Sequence, residues 1–70
     1  MNIEDRKLVG KKLREARLKM KLTQVEAADK AGIADGYYAR LERGEENPTV
    51  TVLEGICKAL HIKSSQVLLF

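Results

Sequence analysis

Apolar residues recur three or four positions apart along most of the chain, which is the spacing of one face of an α-helix. The first such stripe predicts a helix over residues 3–20, with Asn2 placed to cap it. The residues of this stripe are Val9, Leu13, Ala16 and Met20. Gly10 lies in the same helix, and we expect this small residue to lie under a neighbouring helix.

A capping box predicts the start of a second helix at Thr23. The Thr23 hydroxyl can accept a bond from the amide of Glu26, whose carboxylate can accept one from the amide of Thr23. Gly32 favours the left-handed conformation that ends a helix. Small apolar residues between these points predict close packing against neighbours, and they are Val25, Ala27, Ala28 and Ala31.

A third short helix is predicted after this glycine turn. Tyr38 and Leu41 fall on one face of it, and Gly44 closes it. The other faces carry Asp35, Gly36, Tyr37, Ala39, Arg40 and Arg43. One face therefore packs while another is free to contact a ligand. Two short helices joined by a tight turn, with a basic second helix, indicate binding to DNA.

Two further helices complete the predicted fold. Thr49, which follows a proline, is a competent cap for a fourth helix. A last short helix is predicted to begin at Lys63 or Ser64 and to run through Val67 to Phe70. The buried stripe expected for the fourth helix is Val52, Leu53, Ile56, Ala59 and Leu60. The pattern thus predicts an all-α fold of five helices, with a helix-turn-helix formed by helices 2 and 3.

Length and composition limit the possible functions. The 70 residues predict a single domain over residues 1–70, near the lower limit of what one hydrophobic core stabilises without a partner. The net charge of +3 favours a polyanionic partner only slightly. The amino terminus lacks the apolar run of a signal peptide, and no stretch approaches the roughly 18 apolar residues that span a membrane. We therefore expect a soluble, cytoplasmic protein without a membrane partner.

The reactive side chains argue against catalysis. The single cysteine, Cys57, excludes an internal disulfide, and no Cys/His cluster provides a zinc site. We expect an inert buried thiol at Cys57, with a redox switch as the alternative. One histidine and one cysteine provide no pair of nucleophile and base. We therefore expect no enzyme activity, no metal, no cofactor and no small-molecule ligand.

The run TQVEAADKAGIADGYYARLERGEENPT resembles the Cro and lambdoid-repressor (XRE-type) helix-turn-helix family of bacteria and their phages. The resemblance extends from VGKKLREARLKMKLT to LEGICKAL and IKSSQVLL, and its most specific parts are the LTQ-E-A--AG turn and the Y-ARLERGEENPT segment. The chain departs from the family at Ala34, where a serine or threonine cap is preferred, and at Gly36 and Gly55, which lower helicity.

The resemblance implies a compact lambda-repressor-like domain that binds double-stranded DNA sequence-specifically in transcriptional control. Small Cro-type repressors and the controller proteins of restriction-modification systems are the nearest models. RNA polymerase is a candidate partner of such a regulator. The alternative is a protein-interaction module with the same fold, such as an antitoxin or a bridging factor.

The early residues of a recognition helix lie against base edges in the major groove. They correspond here to Asp35, Gly36, Tyr37 and Arg40. Arg40 either pairs with guanine through O6 and N7 or contacts only phosphate or solvent. Asp35 either accepts a bond from cytosine or serves the helix dipole alone. Tyr37 is a candidate for contact with a thymine methyl group or a phosphate, whereas Tyr38 matches the core position of the family.

The resemblance also assigns residues to the DNA backbone and to the fold. Those expected to contact phosphates are Gln24, Arg43, Asn47 and Thr49. Glu45 and Glu46 lie in the same loop after the third helix, where their charge opposes contact with phosphates. Arg17 and Glu42 match a family pair that forms a salt bridge between the first and third helices, so we expect both to be structural.

The carboxyl-terminal residues predict a homodimer. Four apolar residues in a row are hard to bury in so small a monomer, and they are Val67, Leu68, Leu69 and Phe70. A dimer joined through them presents two recognition helices to half-sites about 34 Å apart on a palindromic operator. In the alternative, Leu68 and Leu69 only close the core of the monomer.

Overall fold

The computed structural model describes residues 1–67. In this part of the chain, four α-helices precede one 3₁₀ turn, and no strand is present. The helices are α1 (Ile3–Lys19), α2 (Gln24–Ala31), α3 (Asp35–Glu42) and α4 (Val50–Ala59), and the 3₁₀ turn is Ser64–Gln66. The prediction of an all-α protein is confirmed.

The prediction of five helices is not confirmed. The fifth element is a three-residue 3₁₀ turn after Lys63, and Val67 ends it. Runs of 3₁₀ helix are usually this short, because their hydrogen-bond geometry is poorer than that of an α-helix, and they are common as connectors. The predicted continuation of this element to Phe70 lies outside the described residues.

Three of the four α-helices begin at the predicted side-chain caps. Asn2 Oδ1 accepts a bond from the amide three residues on at 2.8 Å, and Thr49 Oγ1 does the same at 3.2 Å. Thr23 and Glu26 form the reciprocal capping box, with distances of 3.1 and 2.8 Å. Helix α3 follows Ala34, which makes no side-chain cap. Its first turn is therefore the least stabilised locally.

Glycines end the two helices of the helix-turn-helix as predicted. Gly32 has a φ of 71° after α2, and Gly44 has a φ of 74° after α3. Gly44 also lies close to α1, because a Cβ atom at position 44 would be 2.8 Å from Cγ of Lys7. The turn after α3 therefore needs glycine both for its conformation and for space.

The core lies where the four helices meet. Helix α1 packs against α3, and α2 packs against both α3 and α4. The buried apolar residues are Val9, Leu13, Ala16, Ala27, Ala28, Tyr38, Leu41, Leu53, Ile56, Cys57, Leu60 and Val67. Val25 differs from the prediction, since 51% of it is exposed on the solvent side of α2. Met20, Ala31, Val52 and Ala59 are half-buried.

Gly10 sets the distance between α1 and α3. A Cβ atom at this position would lie 2.6 Å from the carbonyl oxygen of Leu41 and would also clash with the carbonyl of Glu42. The expectation of a small residue under a neighbouring helix is confirmed. Because the two backbones touch here, α1 holds the end of α3 rigidly and fixes the direction in which α3 presents its exposed face.

Cys57 lies in this core, and burial, followed by the nearby charge of Glu54, raises the pKa of its thiol. A thiol in this setting is protonated and unreactive at neutral pH. No helix among residues 1–67 is long and apolar enough to cross a membrane.

Candidate nucleic-acid interface

The exposed face of α3 carries three of the four residues predicted to read bases. Asp35, Gly36 and Arg40 are exposed, whereas Tyr37 is half-buried and packs against the core. Tyr38 is fully buried in the core, as the pattern predicted. The amino-terminal half of α3 therefore presents an acid, a bare backbone and a guanidinium on one surface.

Each arginine of this surface is paired with a glutamate of the loop after α3. Arg40 Nε lies 2.7 Å from Oε2 of Glu46, and Arg43 Nε lies 2.9 Å from Oε2 of Glu45. The bonds to Glu45 raise the pKa of Arg43, and the same bonds lower the pKa of Glu45. The charge of the candidate interface is therefore largely balanced within the protein.

Gln24 occupies the first position of α2, at the positive end of the helix dipole. Its Nε2 donates to Oε1 of Glu42 at 3.1 Å, and the contact is partly buried. This bond fixes the amide of Gln24 relative to α3. The structure thus brings a predicted phosphate-contacting residue together with a member of the predicted ion pair.

Asn47 and Thr49 flank the other end of the candidate interface, and both are exposed. Asn47 Oδ1 accepts a long bond of 3.4 Å from the amino group of Met1. The Thr49 oxygen caps α4, which leaves its hydroxyl proton free to be donated elsewhere. Both side chains therefore retain N–H or O–H donors for an anion.

Arg17 and Glu42 meet in a fork between α1 and α3. Arg17 Nε lies 2.7 Å from Oε2 of Glu42, and Arg17 Nη2 lies 3.0 Å from Oε1. Only 10% and 3% of the two side chains are exposed. Arg17 Nη1 also donates to the carbonyl oxygen of Leu22 at 2.9 Å. Bidentate geometry and additional bonds are what a buried ion pair requires to offset its desolvation.

The charges of this pair stabilise each other. Burial acts to raise the pKa of Glu42, but the bonds that it accepts, first from Arg17, outweigh burial and lower that pKa. The bond to Glu42 raises the pKa of Arg17. The Tyr38 hydroxyl is buried and has no hydrogen-bond partner of ordinary geometry within residues 1–67, and burial, reinforced by Glu42, raises its pKa.

The predicted dimer residues are only partly described. Val67 is fully buried in the core, so in this arrangement it has no exposed surface to contribute to the predicted dimer interface. The 3₁₀ turn directs Val67 inward against the helices. Leu68, Leu69 and Phe70 lie outside the described residues. No group of three or more His, Cys, Asp or Glu residues that would suit a metal occurs in the described part of the chain.

Two contacts of this surface could not be predicted from helical spacing. The six-residue separation of Arg40 and Glu46 is not a helical spacing, so only the path of the loop brings them together. Gln24 and Glu42 lie 18 positions apart and meet because α2 packs on α3. The alternation of arginine and glutamate in RLERGEE is the one feature that points to ion pairs here.

Comparison with known proteins agrees with this architecture. The family model described as "Helix-turn-helix" matches residues 13–67. The immunity repressor protein of Bacillus phage phi105 is 39% identical over 59 residues, which cover 84% of this chain and 41% of the repressor. The transcriptional regulator ClgR of Mycobacterium tuberculosis is 39% identical over 64 residues, which cover 91% of this chain and 57% of ClgR. The chain thus spans about half the length of these relatives.

Solved structures extend the similarity. The restriction-modification controller protein C.AhdI from Aeromonas hydrophila has a TM-score of 0.89 and 28% identity, over 93% of this chain and 98% of that protein. The clp gene regulator ClgR from Corynebacterium glutamicum has a TM-score of 0.86 and 31% identity, over 93% of this chain and 84% of that protein. Since the family model covers most of its length, the chain belongs to the helix-turn-helix family HTH_3.

Proposed function

We propose that this protein is a transcriptional regulator that binds double-stranded DNA sequence-specifically, with α3 in the major groove. The observation that carries the proposal is the exposed amino-terminal half of α3, held on a rigid frame by the contact at Gly10 and by the buried ion pair of Glu42. The proposal is also supported by the proteins that this chain is similar to, which include a phage repressor, a transcriptional regulator and a restriction-modification controller protein.

Arg40 is the main base-reading residue in this proposal. The bidentate contact of an arginine with O6 and N7 of guanine provides about 1–3 kcal/mol of discrimination against other bases. Gly36 lets the backbone of α3 approach the base edges, and Asp35 accepts a bond from cytosine. Tyr37, which is half-buried, is the candidate for contact with a thymine methyl group or a phosphate.

The phosphate contacts flank this reading face. Gln24 contributes from the start of α2, where free backbone amides and the helix dipole also favour an anion. Arg43, Asn47 and Thr49 contribute from the segment that joins α3 to α4. Phosphate contacts fix the position of the protein on the duplex without reading sequence. Arg43 must exchange its bonds with Glu45 for a phosphate, which reduces the gain from that contact.

The buried carboxylate of Glu42 links these two sets of residues. It accepts bonds from Arg17 of α1 and from Gln24 of α2, while it belongs to α3 itself. A single side chain thereby joins the phosphate-contacting start of α2 to the reading helix. We assign to this junction the structural role of holding the two contact points at a constant distance.

The working form in this proposal is a homodimer on a palindromic operator. One module of this size covers only about 600–1,000 Å² of protein surface on DNA, which limits affinity. Two modules related by a twofold axis bind half-sites about 34 Å apart. Leu68, Leu69 and Phe70 are the apolar residues assigned to this contact. A protein-interaction module is the other candidate from the family, but no described contact favours it.

Selection of bound sequences from random double-stranded DNA tests the proposal. We expect the full chain to enrich a palindromic motif. Arg40→Ala is expected to lower discrimination at one base pair of each half-site, whereas Gln24→Ala is expected to weaken binding to all sequences similarly. The two variants are compared by competition binding at fixed salt against single-base variants of the motif.

Three results would contradict parts of the proposal. Failure to enrich any motif would exclude sequence-specific binding. A motif without palindromic symmetry would exclude the twofold dimer while leaving base reading in place. Identical discrimination profiles for Arg40→Ala and Gln24→Ala would show that these two residues have been assigned wrongly.

A further inference from the structure

Arg40 and Arg43, the two arginines of the candidate interface, are held in different ways. Arg43 donates from both Nε and Nη2 to the two carboxylate oxygens of Glu45, at 2.9 and 3.1 Å. Arg40 donates to Glu46 from Nε alone, at 2.7 Å. Within residues 1–67, Nη1 and Nη2 of Arg40 have no hydrogen-bond acceptor. Arg43 is thus bound through its fork, whereas Arg40 is bound through one edge and keeps its terminal donors free.

Gly36 provides the space in which Arg40 lies. A Cβ atom at position 36 would be 3.6 Å from Nη1 of Arg40, which is ordinary van der Waals contact. The guanidinium therefore lies back over the first turn of α3 instead of extending away from the helix. A longer side chain at position 36 would compete for this space. The bare backbone of Gly36 and the carboxylate of Glu46 together define where the free end of Arg40 is.

We propose that Glu46 is a positioning residue for Arg40, and that it makes base reading by Arg40 selective for guanine. The inference rests on the proposed function and names the determinant of its specificity. Guanine offers two acceptors, O6 and N7, that match a planar fork of donors. A guanidinium has five N–H donors in one plane, and the bond from Nε to Glu46 leaves the four on Nη1 and Nη2 available.

The position of Glu46 improves specificity for two physical reasons. A long side chain held by a charge-assisted bond loses less conformational freedom when it contacts a base. The same carboxylate repels phosphates, which disfavours contact of Arg40 with the DNA backbone at any sequence. Arg40 therefore gains little from DNA in which guanine is missing. Glu46 thus increases the difference between operator and random DNA at the expense of total affinity.

A simpler role for Glu46 makes a different prediction. If Glu46 only repels DNA, Glu46→Gln will raise affinity for the operator and for random DNA by the same factor. If Glu46 positions Arg40, Glu46→Gln will raise affinity for random DNA more than for the operator. We expect the ratio of the two affinities to fall about fivefold, the lower end of the discrimination of a bidentate arginine–guanine contact.

Glu45→Gln is the matched control for this measurement. It removes the same charge from the adjacent position of the same loop, but its partner, Arg43, is assigned to a phosphate. We expect Glu45→Gln to raise both affinities by a similar factor and to leave their ratio unchanged. An equal ratio in Glu46→Gln and Glu45→Gln would overturn the positioning role.

A measurement without DNA tests the contact itself. In the free protein, the Arg40 Nε–Hε signal in a nitrogen–proton correlation spectrum should be shifted and protected from exchange with water by its bond to Glu46. We expect Glu46→Gln to reduce this protection and Glu45→Gln to leave it unchanged. An Arg40 signal that is the same in wild type and Glu46→Gln would also overturn the inference.

Arg40→Ala separates failure of this inference from failure of the proposed function. If Arg40→Ala abolishes discrimination at one base pair while Glu46→Gln behaves like Glu45→Gln, Arg40 reads a base without help from Glu46. If Arg40→Ala leaves discrimination unchanged, Arg40 reads no base, and both the base-reading assignment and the positioning role are wrong. A guanine preference that is lost in Arg40→Ala and reduced in Glu46→Gln is the expected result.

Discussion

Removing either partner of the buried pair between Arg17 and Glu42 is expected to destabilise the fold by about 3–5 kcal/mol. The side chains are only 10% and 3% exposed, so water cannot replace the lost partner. In Arg17→Met, the carboxylate of Glu42 keeps the bond from Gln24, and in Glu42→Ala, the guanidinium of Arg17 keeps the bond to Leu22. One remaining neutral partner does not offset the desolvation of a buried charge.

The expected loss is comparable to the total stability of the domain. A single core of this size rarely supplies more than about 3–5 kcal/mol. Arg17→Met and Glu42→Ala should therefore be largely unfolded at 25 °C, as measured by far-ultraviolet circular dichroism and urea denaturation. The double variant Arg17→Met/Glu42→Leu should recover much of the loss, because replacing both buried charges by apolar groups is often neutral. Recovery would show that the stranded charge causes the damage.

The exposed pair on the other side of α3 is the control. More than half of each side chain of Arg43 and Glu45 is exposed, so Arg43→Ala should leave the midpoint of urea denaturation almost unchanged. Losses below about 1 kcal/mol in both single variants of the buried pair would refute the reasoning. A loss in Arg17→Met/Glu42→Leu equal to the sum of the losses in Arg17→Met and Glu42→Leu would refute it as well, because stranded charges predict strong coupling.

The pair also predicts how stability changes with pH. The pKa of Glu42 lies below its ordinary value of 4.5 in the folded protein, because its bonds, chiefly from Arg17, outweigh the opposing effect of burial. A lowered folded pKa contributes stability that is fully present above about pH 4.5 and is lost as pH falls through the folded value. The wild type should therefore lose more stability below pH 4.5 than the apolar double variant.

Three further substitutions test the packing of the helices. Tyr38→Phe should change the free energy of unfolding by less than about 1 kcal/mol, because the buried hydroxyl that it removes has no partner of ordinary geometry among residues 1–67; a urea melt showing a larger loss would mean that the hydroxyl bonds to the ion pair. Gly10→Ala should destabilise by about 2 kcal/mol or more, because the new Cβ would lie 2.6 Å from the carbonyl oxygen of Leu41. In the matched substitution Gly55→Ala, no atom lies within 4 Å of the new Cβ, and the higher helix propensity of alanine should stabilise by about 0.5–1 kcal/mol. Equal thermal shifts in the two glycine variants would contradict the packing argument.

Local signals in the sequence predicted well where the helices begin and end. Asn2, Thr23 and Thr49 cap helices, and Gly32 ends one, because each acts through bonds or dihedral angles within a few residues. Such effects depend little on the rest of the fold. The close approach at Gly10 was also predicted, because a small residue in this helix favours contact with a neighbouring helix.

Features that depend on tertiary packing were not predictable from the sequence pattern. Val25 is small and apolar like its neighbours in α2, yet its position on the helix directs it to solvent. Val67 belongs to a run of apolar residues that indicated a surface contact, but the 3₁₀ turn places it in the core. The pairing of Arg40 with Glu46 depends on the path of a loop, which neither periodicity nor propensity specifies.

The charges around α3 explain why the small excess of positive charge on this chain is not a simple measure of DNA affinity. Arg40 and Arg43 are paired with Glu46 and Glu45, and Asp35 is a further exposed acid at the start of α3. Attraction to phosphates supplies most non-specific binding, and it grows with the number of unpaired positive charges at the interface. A regulator is useful in proportion to its preference for the operator over the many competing sites in a genome. If the proposed function is correct, balanced charge on this surface lowers binding to those competing sites, and the contacts of a few oriented side chains then decide where the protein binds.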